Sequence, residues 1–177
     1  MAYFTAVIAR AGRSWKARDV EVDDAESLDE LADALRQAAI DDEPVIAVVE
    51  HEDEWFALIR VDGDEEPRLF VSDLGASTQG HYADLLASAA DVDVVDEDDL
   101  AAEDDGGSAD EDDDSGDADE VEPVVAAWAG DVDLLDDFGI SARALRKLTE
   151  EKGDDPGSVL AEIGETAGFS ELLEALR

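Results

Sequence analysis

The chain has 177 residues, enough for one or two domains with a real core. Its 51 acids against 12 bases give a formal charge of −39, which sets the surface against nucleic acid and anionic membranes, because phosphate binding relies on Lys and Arg displacing counterions. The lack of cysteine excludes disulfides, thiolate chemistry and Cys-ligated zinc.

In chain order, AYFTAVIAR (2–10) alternates, with Tyr3, Thr5, Val7 and Ala9 on one side and Phe4, Ala6 and Ile8 on the other. Both sides are fairly apolar, which suits a strand covered on both faces. A turn at Ala11–Ser14 leads to WKARDVEV from Trp15 as an antiparallel partner. Ser27 and Glu30 have the spacing of a capping box, and Leu28, Leu31, Ala32, Leu35, Ala38 and Ala39 repeat at helical spacing.

Pro44 introduces VIAVVEH, HEDE (51–54) connects to WFALIRV (55–61), and Asp62-Gly63 turns toward RLFVS (68–72). Such short polar links make an antiparallel meander, since parallel strands need longer crossovers. HYADLLASAA (81–90) reads as a second helix. The first 95 residues therefore predict an α+β domain, an antiparallel five-stranded sheet in the order ββαβββα with helices on one side.

Residues 96–122 hold 16 carboxylates and no Lys, Arg or His. The stretch has too little to bury to offset its ordering entropy, so a disordered, extended linker is expected. Adaptation to high salt would spread acids evenly, and this concentration argues against it.

Residues 123–177 turn apolar again and predict a small all-helical segment. Asp131 caps a short helix ended by Gly139, and Ser141 caps the next, which ends near Gly153. Asp155-Pro156 opens a third, stopped by Gly164, and Ser170 begins a last one. About fifty residues is small for independent stability, so docking against the first domain is expected.

No apolar run reaches the ~20 residues that span a bilayer. The opening MAYFTAVIARAGRSW lacks a charged leader, apolar block and cleavage site, so the cytoplasm is the expected compartment.

Few constellations carry chemistry. His51 and His81 have no metal-ligand partners at recognisable spacing and read as ordinary exposed histidines. Glu111, Asp113, Ser115, Gly116 and Glu122 resemble a calcium loop that starts with the wrong acid and lacks flanking helices, a chance match in acid-rich sequence. No metal or cofactor is expected.

Arg143, Arg146, Lys147 and Lys152 lie on one helix. They read as a solvated face favoured by the macrodipole, with phosphate contact or attraction to the acidic stretch as alternatives. The pair of helices in LAEIGETAGFSELLEAL is too acidic for a DNA reader.

Trp15, Trp55, Phe56, Phe70 and Trp128 are core candidates. Adjacent Trp55 and Phe56 must point to opposite faces, so one of them can anchor a partner on an open sheet face. Arg60 and Arg68, isolated bases in an acidic domain, read as intramolecular salt bridges first and recognition groups second. These four residues are the candidate partner-binding set.

The stretch EDEWFALIRVDGDEEPRLFVSD (52–73), with the opening MAYFTAVIARAGRSWKARDVEV, resembles the actinobacterial family of tRNA adenosine deaminase-associated proteins. The likeness lies mainly in residues 1–95 and brings no catalytic residues with it. It implies a partner relationship with tRNA adenosine deaminase. The chain is not that enzyme, whose zinc needs a His and two cysteines with a Glu in His-x-Glu. Here His51 is followed by Glu52-Asp53 and His81 by Tyr82-Ala83.

The sequence thus predicts a non-enzymatic acidic accessory protein that meets a basic protein surface, with tRNA adenosine deaminase as the partner the resemblance implies. The alternative is a small regulatory or ligand-binding domain unrelated to tRNA editing, with the acidic run as a spacer.

Overall fold

The computed structural model describes residues 3–88 and 127–177. The acidic stretch 96–122, its calcium-loop-like portion, the end of the 81–90 helix and Val124–Ala126 of VVAAW lie outside the described residues.

Strands β1 (Tyr3–Ala11) and β2 (Ser14–Arg18) pair antiparallel, with Val7 opposite Arg18 and Ala11 opposite Ser14. Helix α1 (Leu28–Ala38) starts where the cap demands: Ser27 Oγ accepts the Glu30 N–H at 3.3 Å. The Glu30 carboxylate reaches back to the Glu26 N–H at 3.0 Å, one residue further than a capping box requires. Strands β3 (Val45–His51), β4 (Trp55–Val61) and β5 (Arg68–Val71) form the expected meander. Short helices α2 (Leu74–Ser77) and α3 (Ala83–Leu86) follow, α2 capped by Asp73, which accepts the Ala76 N–H at 2.9 Å.

After the acidic stretch the chain returns as β6 (Ala129–Gly130), a 3₁₀ turn at Asp136–Phe138, and helices α4 (Ala142–Lys152), α5 (Pro156–Ala167) and α6 (Ser170–Leu176). Ser141 and Asp155 cap α4 and α5, and Pro156 stands in the first turn of α5. Gly164 does not stop α5. A glycine inside a helix is tolerated, and here a Cβ would lie 2.9 Å from Ser170 Cα, so the bare position lets the chain pass close at the start of α6. The stop comes at Gly168, in the left-handed conformation with φ 92°.

The sheet is antiparallel throughout, with six strands in the order β2-β1-β3-β4-β5-β6 rather than the five expected. The extra strand has two residues, too few to show a period, and one is glycine. Its ladder is extended by Leu74 N–H to the Ala127 carbonyl and Asp131 N–H to the Leu69 carbonyl, both at 2.8 Å.

Every residue of β3 and β4 is buried. Alternation divides them between two cores. On one face Val7, Val45, Ala47, Val49, Trp55, Ala57 and Ile59 meet Leu31 and Leu35 of α1 and Tyr82, Leu85 and Leu86 around α3. On the other, Ile8, Ile46, Val48, Phe56, Leu58 and Phe70 meet Leu134, Leu135, Leu145, Leu160, Ile163, Phe169 and Leu173. The helices of the first part do lie on one face, and those of the C-terminal part cover the other.

Gly130 fixes where the returning chain joins. Its φ is 102°, and a Cβ there would lie 2.1 Å from the Leu69 carbonyl oxygen. Gly130→Ala is expected to destabilise the protein by about 2 kcal/mol or more, through strain and displacement of β6. Urea unfolding followed by tryptophan fluorescence checks this, and an unchanged midpoint would refute the role given to the glycine.

Candidate interaction surface and the seam behind it

The four sequence-predicted residues come from adjacent strands but not to a common surface. Trp55 and Phe56, 1% and 0% exposed, enter opposite cores as the pleat requires. Trp55 stacks on His51 with ring centroids 5.7 Å apart, and Phe56 lies 6.0 Å from Phe70. Arg60 and Arg68 both reach across to the returning chain.

Arg60 leaves β4 on the face covered by the C-terminal helices and is 5% exposed. Its guanidinium makes a two-bond fork to Asp62, with Nε to Oδ2 and Nη2 to Oδ1 both at 2.8 Å. It donates to both carboxylate oxygens of Asp137 and, at 2.7 Å, to the Leu134 carbonyl. The Phe138 ring stands 4.7 Å from its Cζ. Burial alone would pull the guanidinium down, but the bonds to Asp137 and Asp62 hold it above its ordinary range. Arg68 is simpler, with Nε 2.6 Å from Asp131 Oδ2 and a side chain one-third exposed.

Two more ties close the seam. The Trp15 indole N–H donates to the Ala167 carbonyl at 2.9 Å. Arg177 pairs with Glu50 and lies 5.2 Å from the Phe4 ring. Burial pushes the Glu50 carboxyl above its ordinary range, against the pull of Arg177.

Asp131, Asp137, Phe138 and Glu50 complete these ties, and sequence reasoning missed them in that role. Asp131 reads as a helix cap, and its other oxygen does accept the Asp133 N–H at 2.9 Å. Asp137 stands 77 residues from Arg60 and has nothing local to distinguish it from its acidic neighbours.

The histidines divide. His81 is exposed as expected, while His51 is buried at 5% exposure, contrary to the reading of both as exposed. The cause is its place at the end of β3, where the Tyr3 ring, 4.6 Å away, and Trp55 cover it. Glu54 Oε2 comes within 2.8 Å of its Nδ1, but neither ring nitrogen finds hydrogen-bond geometry. Among the described residues no group of three or more His, Cys, Asp or Glu is placed to hold a metal ion, and no helix is long and apolar enough to cross a membrane.

The open concavities are shallow. The largest of those described, about 430 Å³, lies between α5 and α6 over Gly157, Ala161 and Leu173, with Glu165, Glu174 and Arg177 on its rim. Grooves of about 400 and 240 Å³ flank the outer end of β2.

These features define an α+β protein with helical layers on both faces of an antiparallel sheet, locked across one face by buried arginines and acidic over most of its surface. The chain belongs to the Rv3753c-like tRNA adenosine deaminase-associated protein family, whose model matches residues 3–170. That match takes in the C-terminal helices as well as residues 1–95. No curated protein and no solved structure matches the chain.

The two shifted carboxyls at the seam predict opposite pH responses. The Arg60 hydrogen bond, first among its influences, holds Asp137 below the ordinary aspartate range. It therefore contributes stability present above the unfolded pKa and lost as pH falls through the folded one. Asp137→Asn is expected to lower stability at pH 7, with the deficit shrinking as the medium is acidified below about pH 4. Glu50 has the reverse sign, since its ionised form is the one the fold disfavours. Glu50→Gln is expected to be at least as stable as the parent at pH 7, its advantage disappearing as pH falls through the folded pKa toward the unfolded one. Urea unfolding of both variants from about pH 3 to pH 7 checks the two signs. Parallel pH curves for variants and parent would contradict both.

Proposed function

We propose that this is a non-enzymatic accessory protein that binds tRNA adenosine deaminase directly, through attraction between its acidic stretch and a basic, tRNA-gripping surface of the enzyme. The observation that carries this reading is the concentration of 16 carboxylates with no base in residues 96–122 of a chain belonging to a deaminase-associated family. Charge of one sign over a short stretch speeds encounter and favours a surface of the opposite sign.

In this reading Trp55, Phe56, Arg60 and Arg68 serve the contact from behind. They hold the sheet and the C-terminal layer in register, so that the two ends of the acidic stretch are presented together. Localisation with the enzyme in the cytoplasm follows from the same reading.

Gel filtration and calorimetry of the purified protein with the deaminase, at about 10 μM each and low salt, test the proposal. A complex is expected whose affinity falls about tenfold or more when the Debye length drops below ~10 Å. A variant with the 16 carboxylates of 96–122 changed to Asn and Gln, length unchanged, is expected to lose the complex while keeping its fold by circular dichroism. No complex at low salt would remove the direct-partner reading. A complex indifferent to the neutralised stretch would leave that stretch as a spacer.

A further inference from the structure

The acidic balance of this chain has one local reversal. The first 18 residues contain Arg10, Arg13, Lys16 and Arg18 and no acid, and the first carboxylate is Asp19. Among the described residues Arg36, Arg60, Arg68, Lys147, Lys152 and Arg177 are ion-paired. Arg13, Lys16 and Arg18 are exposed and have no such partner there, a state shared by Arg143 and Arg146 on α4. Three cations left unneutralised in a protein of charge −39 are therefore a feature of the β1–β2 hairpin rather than of the whole surface.

Their position gives them a backbone to work with. β2 is an edge of the sheet. The Arg10 N–H donates to the Pro44 carbonyl at 2.8 Å, on the β3 side of β1. By alternation the main-chain groups of Val7, Ala9 and Ala11 turn toward β2, where they face Arg18, Lys16 and Ser14. The N–H and C=O groups of Trp15 and Ala17 then point outward, away from the sheet. The Trp15 side chain is held in the core beneath the C-terminal helices. Lys16 and Arg18, at the alternate positions, project on the opposite side of the strand. Arg18 there lines a groove of about 240 Å³ with Asp19, Val20 and Ala34, Gln37 and Ala38 of α1.

Charged side chains commonly guard an edge strand against unwanted pairing, and lysine is the usual guard. In this chain the guard is of the scarcer sign. Carboxylates outnumber bases 51 to 12, and an acid at 16 or 18 would repel other strands of the same acidic protein as well or better. Cations at those two places admit an acidic strand instead.

We propose that the outer edge of β2 is a docking edge for an extended acidic peptide of a partner protein, which adds to the sheet beyond β2. Its main chain bonds to the outward groups of Trp15 and Ala17. Its carboxylates at alternate positions stand beside Lys16 and Arg18 on one face, with Arg13 at the turn taking a further one. A peptide rather than a nucleic acid is indicated because the edge offers two residues' worth of unpaired ladder groups, which a phosphate chain does not use. This inference is independent of the deaminase reading, which concerns the acidic stretch and a basic partner.

Amide hydrogen exchange, read by NMR on the full chain, tests it. The probes are a synthetic peptide of about twelve residues alternating Glu and Thr, its Lys–Thr counterpart, and a single-stranded RNA of similar length. The Glu–Thr peptide is expected to slow exchange at Trp15 and Ala17 about tenfold or more near saturation. The effect is expected to be lost in K16Q/R18Q, two exposed positions whose change leaves the circular dichroism spectrum intact, and in 0.5 M salt. The Lys–Thr peptide is expected to have no effect. Protection by the RNA and not by the peptide would overturn the proposal in favour of a nucleic-acid surface. Trp15 and Ala17 amides already slow before peptide is added, and released by neutralising 96–122, would overturn it in favour of the chain's own acidic stretch. No protection by any probe would show that the cations only guard the edge.

Discussion

Everything in this fold depends on burying both faces of β3 and β4. With β1 and β5, these strands turn Ile8, Ile46, Val48, Phe56, Leu58 and Phe70 to the side that α1 cannot reach. Burying a large apolar side chain is worth roughly 1.5–3 kcal/mol. Six of them are worth on the order of 10 kcal/mol, which equals the whole net stability of a typical domain. A sheet from residues 3–88 with that side bare would spend its margin on exposed surface. The C-terminal helices are in the converse position, since Leu145, Leu160, Ile163, Phe169 and Leu173 find their cover only on the sheet. Each part supplies the half of a core that the other lacks.

That shared core explains where the chain spends its few cations. A buried ion pair gains little over apolar packing, because desolvation cancels most of the attraction. What it supplies is geometry. Arg60 can satisfy Asp62, Asp137 and the Leu134 carbonyl at once in only one arrangement of sheet and turn, and Arg68 and Arg177 fix two further points. Apolar packing would tolerate a sliding helical layer; a planar guanidinium with several fixed acceptors does not. In a chain whose net charge favours expansion, cations placed at the seam also offset repulsion where the two parts must touch.

What could be read from the sequence was local. Ser27, Ser141 and Asp155-Pro156 announce helices whose first turns they cap, and the short links 52–54 and 62–67 announce a meander. The two-sided apolar character of β1 was visible too, and it already implied a second cover. The sequence did not show the partners. β6 is two residues held by long-range pairing, Gly164 is a stop by local rule but a close-approach point in the fold, and Asp137 becomes special only beside Arg60. His51 ends a strand in a polar turn motif, and only tertiary placement of Tyr3 and Trp55 buries it. The candidate site was legible as residue types, with Arg60 and Arg68 recognised as salt-bridge formers, and illegible as a place.

The connection from α3 to β6 separates folding from surface chemistry. It joins two points of one body across residues 89–126, and the entropy of closing such a connection rises only as the logarithm of its length, about 0.6 kcal/mol for each doubling. A short neutral link would therefore serve the two cores almost as well as a long one. Neither the length nor the 16 unneutralised carboxylates of 96–122 are demanded by the contacts that hold the sheet and its helices. Carboxylates so closely spaced repel one another. A feature that the fold does not require and that electrostatics opposes is the natural place to look for recognition, and the proposed partner contact is assigned to it for that reason. The seam residues enter function only by keeping both ends of that stretch on one rigid support.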